Sequence, residues 1–60
     1  VELNDDEKIV YELLNKQGAM SIDDININSR LSSSAVASAL LTMELNGVVL
    51  NMPGKIYSLT

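Results

Sequence analysis

The chain has 60 residues, enough for one small core, and its 47% apolar and 20% charged residues exclude a disordered segment. It contains no cysteine and no histidine, which excludes disulfides, the usual zinc ligands and the commonest general base. Its formal charge of −4 has the wrong sign for a domain that holds nucleic acid by neutralising phosphates.

No apolar run approaches the roughly 18 residues of a membrane helix, and the start of the chain has no signal-peptide pattern. We therefore expect a soluble, cytoplasmic domain without cofactor, metal or membrane contact. We also expect it not to be an enzyme, because the chain lacks the common nucleophile and base pairs. Because the chain begins at Val1 rather than at methionine, we expect residues 1–60 to be one domain cut from a longer protein.

The first predicted helix covers about residues 5–17. Asn4 is a good N-cap, Glu7 completes a capping box, and Gly18 suits the left-handed position after the last turn. Its apolar face at helical spacing consists of Ile9, Val10, Leu13, Leu14 and Gln17.

The second predicted helix covers about residues 22–28, with Ser21 as its N-cap. The alternation of isoleucine and asparagine over residues 25–28 would also fit a strand. The cap and the spacing of Ile22 and Ile25 favour a helix. In that helix Ile27 points away from the other two isoleucines and is partly exposed.

The third predicted helix covers about residues 33–46, from the N-cap Ser32 to the stop at Gly47. Only about four residues, 29–32, separate it from the second helix. A connection this tight is typical of a helix-turn-helix.

A hairpin follows, with strands predicted at about residues 48–52 and 56–59. Pro53 and Gly54 suit the two central positions of a type II turn. Ala19 and Met20 can add a third short strand. Three helices followed by this hairpin predict a mainly α fold, a three-helix winged helix-turn-helix.

The end of the third helix and the hairpin carry a more specific pattern. Residues 40–49 read L-x-x-M-E-L-x-G-x-V, and a Pro-Gly wing tip and Tyr57 come next. Together with Ser21–Ile25, Leu31, Ser34, Val36 and Ala39, this pattern resembles the C-terminal winged-helix domain of the DNA-processing protein A (DprA/Smf) family, over about Leu3 to Leu59. Arg30 departs from the glycine expected between the second and third helices.

The resemblance implies a bacterial parent protein that binds incoming single-stranded DNA in natural transformation and loads the RecA recombinase for DNA recombination. A Rossmann-like domain outside these residues would carry that activity. The candidate partners are that domain, a RecA-type recombinase or a second copy. The negative charge indicates that any DNA is bound weakly and through the parent. The family assigns no site to the winged helix.

The surface that a winged helix presents to DNA contains no basic or amide side chain on the third helix. It consists of Ser33, Ser34, Ala35, Ala37, Ser38, Leu41 and Thr42. The serine run at residues 32–34 fits a phosphate contact, or simply an N-cap followed by small soluble residues. The candidate DNA contacts are Arg30, Ser33, Ser34, Ala37, Ser38, Thr42 and Lys55.

The third helix also has two apolar stripes. One, with Val36, Leu40 and Met43, is expected to face the first helix; the second consists of Ala37, Leu41 and Leu45. Either the helix is buried on both sides, or Ile27, Leu41 and Leu45 are partly exposed and dock a protein. The first function hypothesis is thus an accessory domain acting through protein contacts; the alternative is the DNA-reading domain of a transcription regulator.

Overall fold

The computed structural model describes residues 2–60 as three helices and three short strands. In chain order these are α1 (Asp5–Gln17), β1 (Met20–Ser21), α2 (Ile22–Ser29), α3 (Ser33–Leu45), β2 (Val49–Met52) and β3 (Ile56–Leu59). The strands form one antiparallel sheet in the order β1-β3-β2. This architecture confirms the predicted winged helix-turn-helix.

The N-terminus of each helix is fixed by a side chain that the sequence predicts as its cap. The side-chain oxygen of Asn4 accepts a hydrogen bond from the backbone amide of Glu7 at 2.8 Å. The side-chain carboxylate of Glu7 accepts one from the backbone amide of Asn4 at 3.0 Å, which completes the capping box. Ser21 and Ser32 each accept from the amide three residues later, at 3.2 and 3.1 Å. Local hydrogen bonding therefore sets where all three helices begin.

The C-terminus of α3 is closed by a pair of backbone hydrogen bonds. The Val48 amide donates to the Met43 carbonyl at 2.8 Å, and the Gly47 amide donates to the Glu44 carbonyl at 3.1 Å. Gly47 has a φ of +75°, which a side chain would make unfavourable. This Schellman motif ends α3 at Leu45 and turns the chain into the hairpin.

The segment from residue 22 to 29 is a helix, not a strand. Ile25 is fully buried, whereas Ile27 is 73% exposed. In a strand, residues two apart would share one face, so this contrast fits only the helical spacing. The helix runs one residue beyond its predicted end.

The central strand of the sheet is β3, which pairs with both of the others. Tyr57 lies opposite Met20 of β1, and Ile56 lies opposite Met52 of β2. The third strand therefore exists but is shifted by one residue from Ala19–Met20. The amide of Ile22 also donates to the Lys55 carbonyl at 3.0 Å, which joins the wing tip to the start of α2.

The wing tip contains two residues with positive φ. Gly54 has a φ of +86°, at the position where the turn was predicted to need it. Lys55 has a φ of +60°, which was not predicted. Because Met52 and Ile56 are paired, three residues connect the strands, and Lys55 adopts the left-handed conformation to complete the reversal.

The core lies between α1, α3 and the sheet. Its buried apolar residues are Val10, Leu14, Met20, Ile25, Val36, Ala39, Leu40, Met43 and Val49. Two residues assigned to the buried face of α1 lie outside the core: Ile9 is 38% exposed and Gln17 is exposed. Burial is centred on Val10 and Leu14; Ile9 lies at the edge of that stripe, and Gln17 is the last residue of the helix.

Candidate functional site

The orientation of α3 is set by the residues it buries. Val36, Leu40 and Met43 are almost completely buried, as predicted, and α1 is the main helical neighbour of α3. Burial of this side fixes the opposite side of α3 toward solvent. We call that side the α3 outer face; it consists of Ser34, Ala37, Ser38, Leu41, Thr42 and Leu45, all exposed.

The α3 outer face carries hydroxyl and apolar groups and no charge. Leu41 is 59% exposed and Leu45 is 79% exposed, so α3 is not buried on both sides. Of the residues predicted to face DNA, Ser33 is also exposed, whereas Ala35 is half-buried and contributes little surface. Serine and threonine hydroxyls can meet a phosphate but offer neither bidentate base contacts nor counterion release.

The serine run at the start of α3 is only partly available to a ligand. The Ser32 hydroxyl oxygen already accepts a hydrogen bond from the backbone amide of Ala35. Ser32 therefore acts as the N-cap of α3, which favours this role over a phosphate contact for that residue. Ser33 and Ser34 are exposed in the first turn.

The two cations among the candidate DNA contacts do not lie together. Arg30 is the C-cap residue of α2, whereas the Lys55 carbonyl accepts from Ile22 at the other end of that helix. The eight residues of α2 separate them by about 12 Å of helix. Both side chains are exposed, but they form no concentrated basic patch.

Arg30 has a left-handed backbone, with φ of 62° and ψ of 18°, where the family pattern leads us to expect glycine. A side chain in this region costs about 1–2 kcal/mol, partly offset by the greater flexibility of glycine in the unfolded chain. We expect Arg30→Gly to raise the free energy of unfolding by up to about 1 kcal/mol. Urea denaturation measures the change, with Arg30→Ala as the control that removes the charge but keeps the left-handed strain. Equal stability of the two variants would contradict this account.

The candidate protein-contact residues are all exposed apolar side chains, but they are not all on one element. Leu41 and Leu45 lie one turn apart on α3, whereas Ile27 lies on α2. The sequence interpretation did not include Leu50, which is 53% exposed while its neighbour Val49 is buried. The alternation of a strand, in which successive side chains point to opposite faces, is the signal that would have identified it.

Two open grooves lie on the described surface near α1. The larger, about 660 Å³, lies between α1 and the end of the chain and is lined in part by Tyr11, Asn15 and Leu59. The smaller, about 230 Å³, is lined by Ile9, Glu12, Leu13, Lys16 and Asn28. Among residues 2–60, acidic side chains form no group of three that could hold a metal ion, and no helix is long and apolar enough to cross a membrane.

Comparison with known families identifies the fold more narrowly. The family model of the DprA winged helix domain matches residues 1–55 of the 60-residue chain. The chain belongs to the DprA winged helix domain family. This match confirms the resemblance to the DprA/Smf winged-helix domain. No curated protein and no solved structure gives a significant match.

Proposed function

We propose that this domain is an accessory module of a DprA-like DNA-processing protein, and that it acts mainly through protein contacts with weak or no DNA binding of its own. The observation that carries the proposal is the exposure of Leu41 and Leu45 on the α3 outer face. A DNA-reading helix places cations and amides on this face, and here leucines occupy it.

The distribution of charge supports the same proposal. Seven of the eight acidic residues lie before residue 31, and Glu44 and Lys55 are the only charged residues after it. The half of the chain that forms α3 and the wing is therefore almost uncharged. With Arg30 and Lys55 as the only cations near a duplex, at most about two phosphates would be neutralised, for a salt slope near −1.8.

The parent's role is also part of the proposal. Membership of the DprA family supports a bacterial, cytoplasmic parent that binds single-stranded DNA and takes part in transformation and recombination. In that parent the winged helix would contact a Rossmann-like domain, a RecA-type recombinase or a second copy. We propose no catalytic role, since the chain has no histidine or cysteine to act as base or nucleophile.

A titration followed by amide chemical shifts tests the proposal. The domain is titrated with duplex and with single-stranded DNA, each at low and at moderate salt. We expect no saturable shifts at moderate salt and, at most, small shifts near Arg30 and Lys55 at low salt. Arg30→Ala combined with Lys55→Ala is the control and should remove any such shifts.

The contradicting outcome is binding at micromolar DNA and moderate salt with shifts centred on α3 and Lys55. That result would favour the DNA-reading domain of a transcription regulator.

A further inference from the structure

The centre of the α3 outer face has a repeating pattern of side-chain size. Ser34, Ser38, Leu41 and Leu45 follow one another at intervals of four, three and four residues, and all four are exposed. These intervals are those of the contact positions of a two-helix coiled coil. We call these four residues the α3 stripe.

The α3 stripe is complementary to itself when reversed. The point midway between Ser38 and Leu41 is also the point midway between Ser34 and Leu45. A twofold axis through it sets Leu41 of one copy against Ser38 of the other, and Leu45 against Ser34. Large side chains then meet small ones at every level, which is the arrangement that lets two helices pack closely.

The charges beside the stripe do not oppose a second copy as the occupant, although each copy carries a formal charge of −4. Glu44, on the flank of the stripe, is the only charged residue of α3. In the antiparallel arrangement the two Glu44 backbones lie about 14 Å apart along the helix axis, beyond the Debye length of about 8 Å at physiological salt. A strongly acidic or basic partner would find no opposite charge on the stripe, whereas an uncharged stripe matches its own copy.

The area available makes this contact a weak one. α3 is about 20 Å long and spans one side of a domain that measures 24 × 22 × 20 Å. A standard interface of about 800 Å² per partner would take a fifth of the 3925 Å² surface, more than one helix supplies. We therefore expect a dissociation constant on the order of 0.1–1 mM for the isolated domain.

We propose that the α3 outer face binds a second copy of this domain, with the two α3 helices antiparallel about a twofold axis. The inference rests on the function proposed above, since it names the partner of the same face. In this dimer α3 is covered, so self-association and any entry of α3 into a DNA groove exclude each other.

A concentration series tests the inference. Amide shifts and translational diffusion are measured from about 50 µM to about 2 mM protein, a range that brackets the expected dissociation constant. We expect slower diffusion at high concentration and shifts confined to α3. Leu41→Glu should weaken association at least about tenfold, because it sets carboxylates at the centre of an apolar contact. Leu50→Glu is the matched control, because Leu50 is an exposed apolar residue outside the stripe, and it should leave association unchanged.

The antiparallel register has its own test. Leu45→Lys and Ser34→Glu should each weaken association, and the two changes combined should restore it at low salt, because each lysine then faces the glutamate of the other copy. Leu45→Lys combined with Ser33→Glu, with the glutamate off the stripe, should not restore it.

A domain that stays monomeric to about 2 mM overturns the inference, as does association that Leu50→Glu abolishes and Leu41→Glu does not. These outcomes differ from failure of the proposed function. If the domain is monomeric and also does not bind DNA, the proposed accessory role stands, and only the second copy is excluded as its partner. Tight DNA binding refutes the accessory role whatever the oligomeric state.

Discussion

Leu40→Ala is expected to unfold the domain, whereas Leu41→Ala should change its stability by no more than about 0.5 kcal/mol. The two leucines are neighbours in α3, but Leu40 is 1% exposed and Leu41 is 59% exposed. Truncation of a buried leucine costs about 2–5 kcal/mol, and a core of this size supplies only about 3–5 kcal/mol in total. Thermal and urea unfolding followed by circular dichroism measure both variants.

This pair of variants controls for composition, helix propensity and position in α3, because both make the same change at adjacent sites. Equal losses of stability at the two positions would show that Leu41 is covered in solution. That result would also remove the exposed leucine on which the proposed function depends.

Three arginines placed on the α3 outer face are expected to give the domain measurable affinity for duplex DNA. Ser34→Arg, Ser38→Arg and Thr42→Arg together change the formal charge from −4 to −1. Each new phosphate contact contributes about 0.9 to the salt slope, so the slope should steepen by about 2.7. At about 1 kcal/mol or more per contact, affinity should rise roughly 100-fold at low salt. Fluorescence anisotropy with a labelled duplex measures both quantities.

The matched control carries the same added charge elsewhere. Asn15→Arg, Gln17→Arg and Ala19→Arg also reach −1, on exposed positions of α1 and the segment after it. We expect this control to gain much less affinity than the α3 variant. Equal gains would mean that α3 does not enter a groove, and that its lack of cations is not what limits DNA binding.

The helix starts could be predicted from sequence because each depends on a hydrogen bond between residues three apart. The caps at Asn4, Ser21 and Ser32 are such contacts, and the structure contains all three. The glycine at residue 54 was predictable for a similar reason, since the turn needs a positive φ at that position.

The exposure of individual apolar residues could not be predicted in the same way. The sequence shows a second stripe on α3 but not whether the wing covers it, and that depends on how the hairpin packs. The exposure of Ile9 could not be predicted for the same reason: it lies at the edge of the α1 apolar stripe, and whether it is covered depends on which elements pack against α1. The left-handed Lys55 likewise follows from the pairing of Met52 with Ile56, a contact between strands.

The place of β3 in the sheet has a practical consequence for any shortened version of this chain. The family model matches only to residue 55, yet the four residues from Ile56 to Leu59 supply every backbone partner of the other two strands. A fragment trimmed to the matched segment would leave Met20–Ser21 and Val49–Met52 as two open edges with nothing between them. Expression boundaries for this domain should therefore be chosen from strand pairing and extend at least to Leu59.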